Sequence, residues 1–374
     1  MKKGKSIITI IVIIIILIIV RQRFNLTVND IKKGFTQDDK VELLDSSYSG
    51  LLLKVLDNGK TNYIDTLGQI VIKTSFDNRC GDFYCNRAKV FIKDKYGYID
   101  NKGKMVIPCK YIKPSGLFDF NQRTDFNDNH VFVFNGEHQI FIDTNGMVKF
   151  EINNPPVLWQ PSDSFIIVGN ISKRGVINYN GIEVIPQRYS FIRDFSENLF
   201  AVQFQNSKWG YINSNNDLVI DTLFDSALSF KDGIAPIAIG GKWGLINKKG
   251  EIVILPKYDK INEYSEGLAK VTLADKFGYI NQTGDLVIPI KFDDFLYGLE
   301  PGSNFISGRA LIKVNYKYGW IDQSGAIVIQ PKYNNAYDFR NGFARVSNEM
   351  PLDGDVEKFS YINIHGDLIY DKSN

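Results

Sequence analysis

Lys208-Trp209-Gly210-Tyr211-Ile212-Asn213 returns as Lys242-Trp243-Gly244-Leu245-Ile246-Asn247, then as Lys276-Phe277-Gly278-Tyr279-Ile280-Asn281 and Lys317-Tyr318-Gly319-Trp320-Ile321-Asp322. Working outward from these four, nine copies align, centred on Ile64, Ile99, Ile142, Ile177, Ile212, Ile246, Ile280, Ile321 and Ile362. Successive centres lie 34 to 43 residues apart. Self-similarity at such a period marks a tandem array of small units, none of which can bury its own apolar face without a neighbour.

The local chemistry of each copy is that of a β-hairpin. An apolar strand ends in Asn or Asp, Gly follows three residues later, and a second apolar strand begins, as in Asn247-Lys248-Lys249-Gly250 before Ile252-Val253-Ile254. This spacing fits a type I turn closing on a left-handed residue, with a G1 bulge. In the fifth copy Asn216 stands at the Gly position, and Asn is the next residue to tolerate that backbone. The second strand often ends at proline, as at Pro108, Pro186, Pro256, Pro289 and Pro331, which marks a strand end or an edge. The Gly beside the ring residue implies close approach of a neighbouring backbone.

After each hairpin comes aromatic-x-x-Gly-x-Ala, as in Phe230 to Ala235, Tyr264 to Ala269 and Phe339 to Ala344, and a third strand is expected from that Ala. Past the amino terminus no helical period is sustained. The expectation is an all-β chain of about nine three-stranded antiparallel units over residues 47–374, closed as a propeller or open as a superhelix. Steps of 41 and 43 residues imply loop insertions, chiefly Tyr111–Asn129, Tyr297–Asn304 and Ser347–Glu357.

The amino terminus reads differently. Lys2, Lys3 and Lys5 precede an apolar run from Ile7 to Val20, followed by Arg21 and Arg23. A helix of that run spans about 21 Å, short of the ~30 Å hydrocarbon layer, but flanking basic side chains can snorkel across the mismatch. No small-x-small cleavage site follows. Residues 1–23 are therefore expected to be an uncleaved single-pass anchor and residues 24–46 a polar spacer. The basic amino-terminal flank favours a cytoplasmic amino terminus and an array outside the membrane.

These residues resemble the WG-repeat family, known widely from bacterial proteins and named for its Trp-Gly core. Trp209-Gly210 and Trp243-Gly244 match in full. Tyr96-Gly97, Phe277-Gly278 and Tyr318-Gly319 match in relaxed form, while Asn62, Ile140 and Arg174-Gly175 depart. The resemblance covers roughly residues 47–370. It implies an all-β array used for binding or scaffolding, with no general catalytic set and no cofactor.

Bulk composition narrows the function. Net charge is +2, from 44 basic and 42 acidic residues with no long basic tract, so no electrostatic footprint for nucleic acid exists. Cys80, Cys85 and Cys109, with His130, His138 and His365, show no zinc-ligand spacing, and the His residues lie in or beside repeat turns. Cys80 and Cys85 are either a short-loop disulfide or two small buried hydrophobes. Carboxylates such as Asp293, Asp294, Asp353 and Asp355 could serve as a glycosidase pair or a cation site; for Asp353-Gly354-Asp355, in a polar loop without the spacing of a full calcium loop, a solvated turn is the simpler reading. Trp209, Trp243 and Trp320 hold repeat positions and belong to the core. Trp159, among Pro155, Pro156 and Pro161, is the Trp to test as exposed. No catalytic, metal or cofactor residue is assigned. The expectation is a non-enzymatic, membrane-anchored array that binds another protein. An envelope glycan-binding or glycan-processing protein, or a passive spacer, are the alternatives.

Overall fold

The computed structural model of the chain describes residues 41–44, 49–112, 125–152, 161–162, 165–170, 172–294, 304–348 and 359–371. Among these, nine antiparallel sheets follow in chain order, over residues 41–74, 83–112, 130–152, 161–189, 191–224, 226–258, 260–293, 310–333 and 335–370. No described residue is helical.

The fifth sheet is typical. Its strands, a to d, are Phe191–Ile192, Phe200–Gln203, Trp209–Ile212 and Leu218–Phe224, and they lie side by side in that order. The predicted hairpin is strands c and d. The turn is as the spacing requires: in the sixth sheet the Gly250 amide donates to Asn247 O at 2.9 Å, and Asn247 Oδ1 accepts from the Lys249 and Glu251 amides. Asn216 takes φ 66° where Gly250 takes φ 80°, so Asn does replace Gly in the left-handed seat. The Gly of Trp-Gly is explained by close approach: a Cβ on Gly244 would lie 2.3 Å from Ile254 O on strand d.

Sheet faces stack in sequence. Tyr211 and Phe224 of the fifth sheet pack on Ala235 and Ile237 of the sixth. Tyr279 and Phe292 of the seventh pack on Ala310 and Ile312 of the eighth. The last such cluster joins the ends of the array: Tyr361, Phe343 and Ile369 of the ninth sheet pack on Leu53, Val55 and Ile64 of the first. The array is thus a β-propeller ring of nine blades, not an open superhelix.

Strand a lies at the axis. Arg340 of the ninth blade reaches Tyr84 of the second, passing over the first, and only groups near the centre can skip a blade. Strand d lies at the rim, where Leu218, Val219, Ile252 and Val253 are exposed.

Three expectations need correction. Seven of the nine sheets have four strands, not three. In six of these the extra strand is strand a, which spans only two residues and leaves no periodicity to read. In the first blade it is Val41–Leu43, within the stretch expected as spacer, which pairs outside Ile70–Thr74. The sequence unit is also not the structural unit: each hairpin is strands c and d of one blade, and the aromatic-x-x-Gly-x-Ala that follows turns between strands a and b of the next. The expected anchor, residues 1–23, lies outside the described residues, and among those no helix is long and apolar enough to cross a membrane.

Candidate functional site: the axial cavity

The a–b turns bring polar residues to the axis. In the ninth blade, Arg340 and Phe343 exchange backbone hydrogen bonds of 2.7 and 3.0 Å around a two-residue turn, with Asn341 at φ 51° and Gly342 at φ 84°. That left-handed pair is the backbone of a type I′ hairpin, which suits the twist of short strands. It fixes Asp338 and Arg340 at the inner edge. Cys85 and Asn86, at φ 49° and 58°, make the matching turn in the second blade and fix Phe83 and Tyr84.

Between these turns lies a cavity of about 430 Å³. Blades eight, nine, one and two all contribute, through Ile306, the Tyr337–Arg340 segment, Leu51 to Leu53, and Asp82 to Tyr84. The Arg340 guanidinium sits 4.7 Å from the Tyr84 ring centre and donates to its hydroxyl. Arg345 sits 5.1 Å from the ring centre of Tyr337, which in turn meets Phe359 edge-on at 5.2 Å. The Asp338 carboxyl has no hydrogen bond or ion pair among the described residues, and burial pushes its pKa up to about 7. Arginine stacked on tyrosine, beside an unpaired acid and an apolar floor, is a surface for recognition. Among the described residues that line it, no nucleophile is paired with a base.

The residues singled out by sequence lie elsewhere. Asp293 pairs with Lys276. Asp294 accepts from Lys270 at 2.6 Å and Thr272 at 2.7 Å. Both carboxylates are therefore engaged in repeat contacts. Trp320 and Trp209 are buried and Trp243 is half-buried in the core. Cys80 is buried between the first and second blades and Cys85 faces the next joint, and the two are not joined in a disulfide. His130 stacks on Phe141 at 5.0 Å. Among the described residues no three His, Cys, Asp or Glu side chains converge on a metal position. Trp159, Asp353 and Asp355 lie outside the described residues, as do most of the three expected insertions.

Sequence reading missed the axial residues because Tyr84 and Arg340 are 256 positions apart. A signal was present nonetheless. The residue before the a–b aromatic is polar in blade after blade: Asp82, Asp194, Ser229, Glu263 and Asp338.

Solved structures with a similar course of chain include the computationally designed Ika8 protein, with 11% identity, TM-score 0.47, and coverage of 71% of this chain and 91% of that one. A eukaryotic initiation factor gives 13% identity and TM-score 0.49, over 70% of this chain and 77% of its own. BamB from Moraxella catarrhalis gives 11% identity and TM-score 0.35, over 82% and 95%. No curated protein matches the chain. The family model for the WG containing repeat matches residues 63–96, 96–111, 175–209, 209–243, 243–277, 277–318 and 318–349. Most matches run from one Trp-Gly position to the next, through strands c and d of one blade and a and b of its neighbour, and together they cover more than half of the chain. The chain belongs to the WG-repeat family.

Proposed function

We propose that this chain is a non-enzymatic scaffold that binds another protein, tethered to a membrane through residues 1–23 with the ring on the outer side. The observation that carries the binding reading is the axial cavity. It gathers Arg340, Arg345 and Tyr337 from the ninth blade and Tyr84 from the second onto one ring, and Arg and Tyr are the residue types that dominate protein interfaces. Each is held by stacking, so little side-chain freedom is lost when a partner docks. The tether reading rests on the Ile7–Val20 run and its basic flanks.

A photo-crosslinking side chain at Tyr337 in the full-length chain tests the first part. A discrete protein adduct is expected in cells, lost in Arg340→Ala and Tyr84→Ala. An adduct pattern unchanged by both variants would overturn the axial reading. Protease protection on spheroplasts with a tag at Asn374 tests the second. Removal of the tag without lysis is expected; protection until lysis would move the ring to the cytoplasm.

A further inference from the structure

Outer strands are a hazard for any propeller, because their backbone N–H and C=O groups face solvent and invite another strand. Most blades here guard that edge in the same way. From the first residue of strand d, the seventh blade carries Pro289 at the fourth position and Lys291 at the sixth. The eighth carries Pro331 at the fifth and Lys332 at the sixth. The second, fourth and sixth blades likewise combine a proline at the fourth or fifth position with Lys or Arg at the sixth. Proline offers no donor, and lysine resists being covered.

Four blades lack both guards: the third and ninth, whose sixth residues are the polar Asn153 and Ser373, and the first and fifth. In the first, Ile70-Val71-Ile72-Lys73-Thr74 has neither proline nor a sixth-position cation, and this edge is covered. Val41–Leu43 pairs along it with Val41 opposite Thr74, Glu42 opposite Lys73 and Leu43 opposite Ile72, and the Leu44 amide donates to Val71 O at 2.8 Å. In that register Lys73 turns its own backbone pair outward, towards Glu42. The proline of the second, fourth and seventh blades stands at this same position and deletes that donor.

In the fifth blade the aligned strand is Leu218-Val219-Ile220-Asp221-Thr222-Leu223. Its sixth residue, where five other blades have Lys or Arg, is Leu223, 65% exposed; Leu218 and Val219 are 50% and 48% exposed. Asp221 aligns in sequence with Lys73 and carries the opposite charge, and strand d bulges from here to Leu223. Nothing among the described residues pairs with this edge.

We infer that the outer strand of the fifth blade is a docking edge for an extended segment of a partner protein. That segment carries Lys or Arg opposite Asp221, between apolar residues that cover Val219 and Leu223. The inference rests on the reading that this chain binds proteins, and names a second surface for it. The first blade shows the backbone register of such pairing within the same molecule. A second copy of this chain is disfavoured as occupant, because a two-fold antiparallel pairing centred on this strand sets Asp221 against Asp221.

The test uses the full-length chain and a labelled peptide of residues 40–46 carrying Lys40→Leu and Glu42→Lys, with the peptide carrying Lys40→Leu alone as control. Fluorescence anisotropy should show saturable binding of the lysine peptide, at least several-fold tighter than the control. Asp221→Pro, which installs the guard of the other blades, should weaken it about tenfold or more. Asp221→Lys, an exposed exchange that leaves the core intact, should reverse the preference between the two peptides. Equal binding to all three proteins, or no saturable binding, would overturn the inference. So would a concentration-dependent dimer abolished by Asp221→Pro, which would make the edge a self-interface. Crosslinking at Tyr337 is independent of Asp221, so failure here leaves the axial reading standing, and the converse.

Discussion

The joint between the fifth and sixth blades and the joint between the ninth and first are built from the same parts. At the first, the Tyr211 hydroxyl donates to Leu228 O of the next blade at 2.8 Å; at the second, the equivalent Tyr361 donates to Lys54 O, also at 2.8 Å. At the first, the c–d turn glycine Gly250 would set a Cβ 3.1 Å from Ile220 on the preceding strand d; at the second, Gly68 would set one 2.4 Å from the backbone of Ile369. The difference is the chain itself. A single residue, Asp225, links strand d of the fifth blade to strand a of the sixth, whereas the closing joint has no covalent link and no sheet shared between the two ends. Repeat packing alone therefore closes the ring, and the closing turn is the tighter of the two.

The comparison breaks most directly at Gly68. Gly68 and Gly267 both hold left-handed φ, 85° and 81°, but nothing lies within 4 Å of a Cβ on Gly267. Gly267→Ala should cost only backbone strain, about 1–2 kcal/mol. Gly68→Ala adds a clash with a carbonyl oxygen, for a total of about 2–5 kcal/mol. Denaturant melts measure both, and limited proteolysis should release the first blade only in Gly68→Ala. Equal costs would mean that the closing joint yields freely.

A smaller effect distinguishes the joints by pH. Asp338 lies beside the closing joint, while the matching position of the sixth blade is Ser229, which does not titrate. Burial raises the folded pKa of Asp338 to about 7, above its ordinary value. Between about pH 4 and 7 the folded chain keeps a proton that the unfolded chain has released, so this contribution is present at low pH and lost as pH rises through 7. Thermal midpoints should fall from pH 5.5 to pH 8, and Asp338→Asn should flatten the slope. Hydrogen exchange in blades nine and one, and not in five and six, should follow the same pH. A slope unchanged in the variant would remove Asp338 as its source.

Much of this was legible before any fold was seen. Copy number, the c–d hairpin, the left-handed seat of Asn216 and the close approach at Gly244 all follow from spacing and residue type, because each is settled within a dozen neighbouring positions. What escaped reading was either too short or too distant. Strand a is two residues long, as in Ser226–Ala227, and carries no pattern. The axial cavity joins Tyr84 to Arg340 through ring closure, and no local signal encodes closure. The open edge at Asp221 lies between these extremes. It is a missing Pro and a missing Lys, visible only when the blades are laid over one another.

Closure also bears on the number of blades. Tyr361 and Lys54 meet across 307 positions. The entropy lost in joining the ends of a chain grows only with the logarithm of its length, about 0.6 kcal/mol for each doubling. A ring of half as many blades would save no more than that. The count of nine is thus not a matter of chain entropy: it is set by the angle at which each joint tilts one sheet against the next, repeated until the last meets the first.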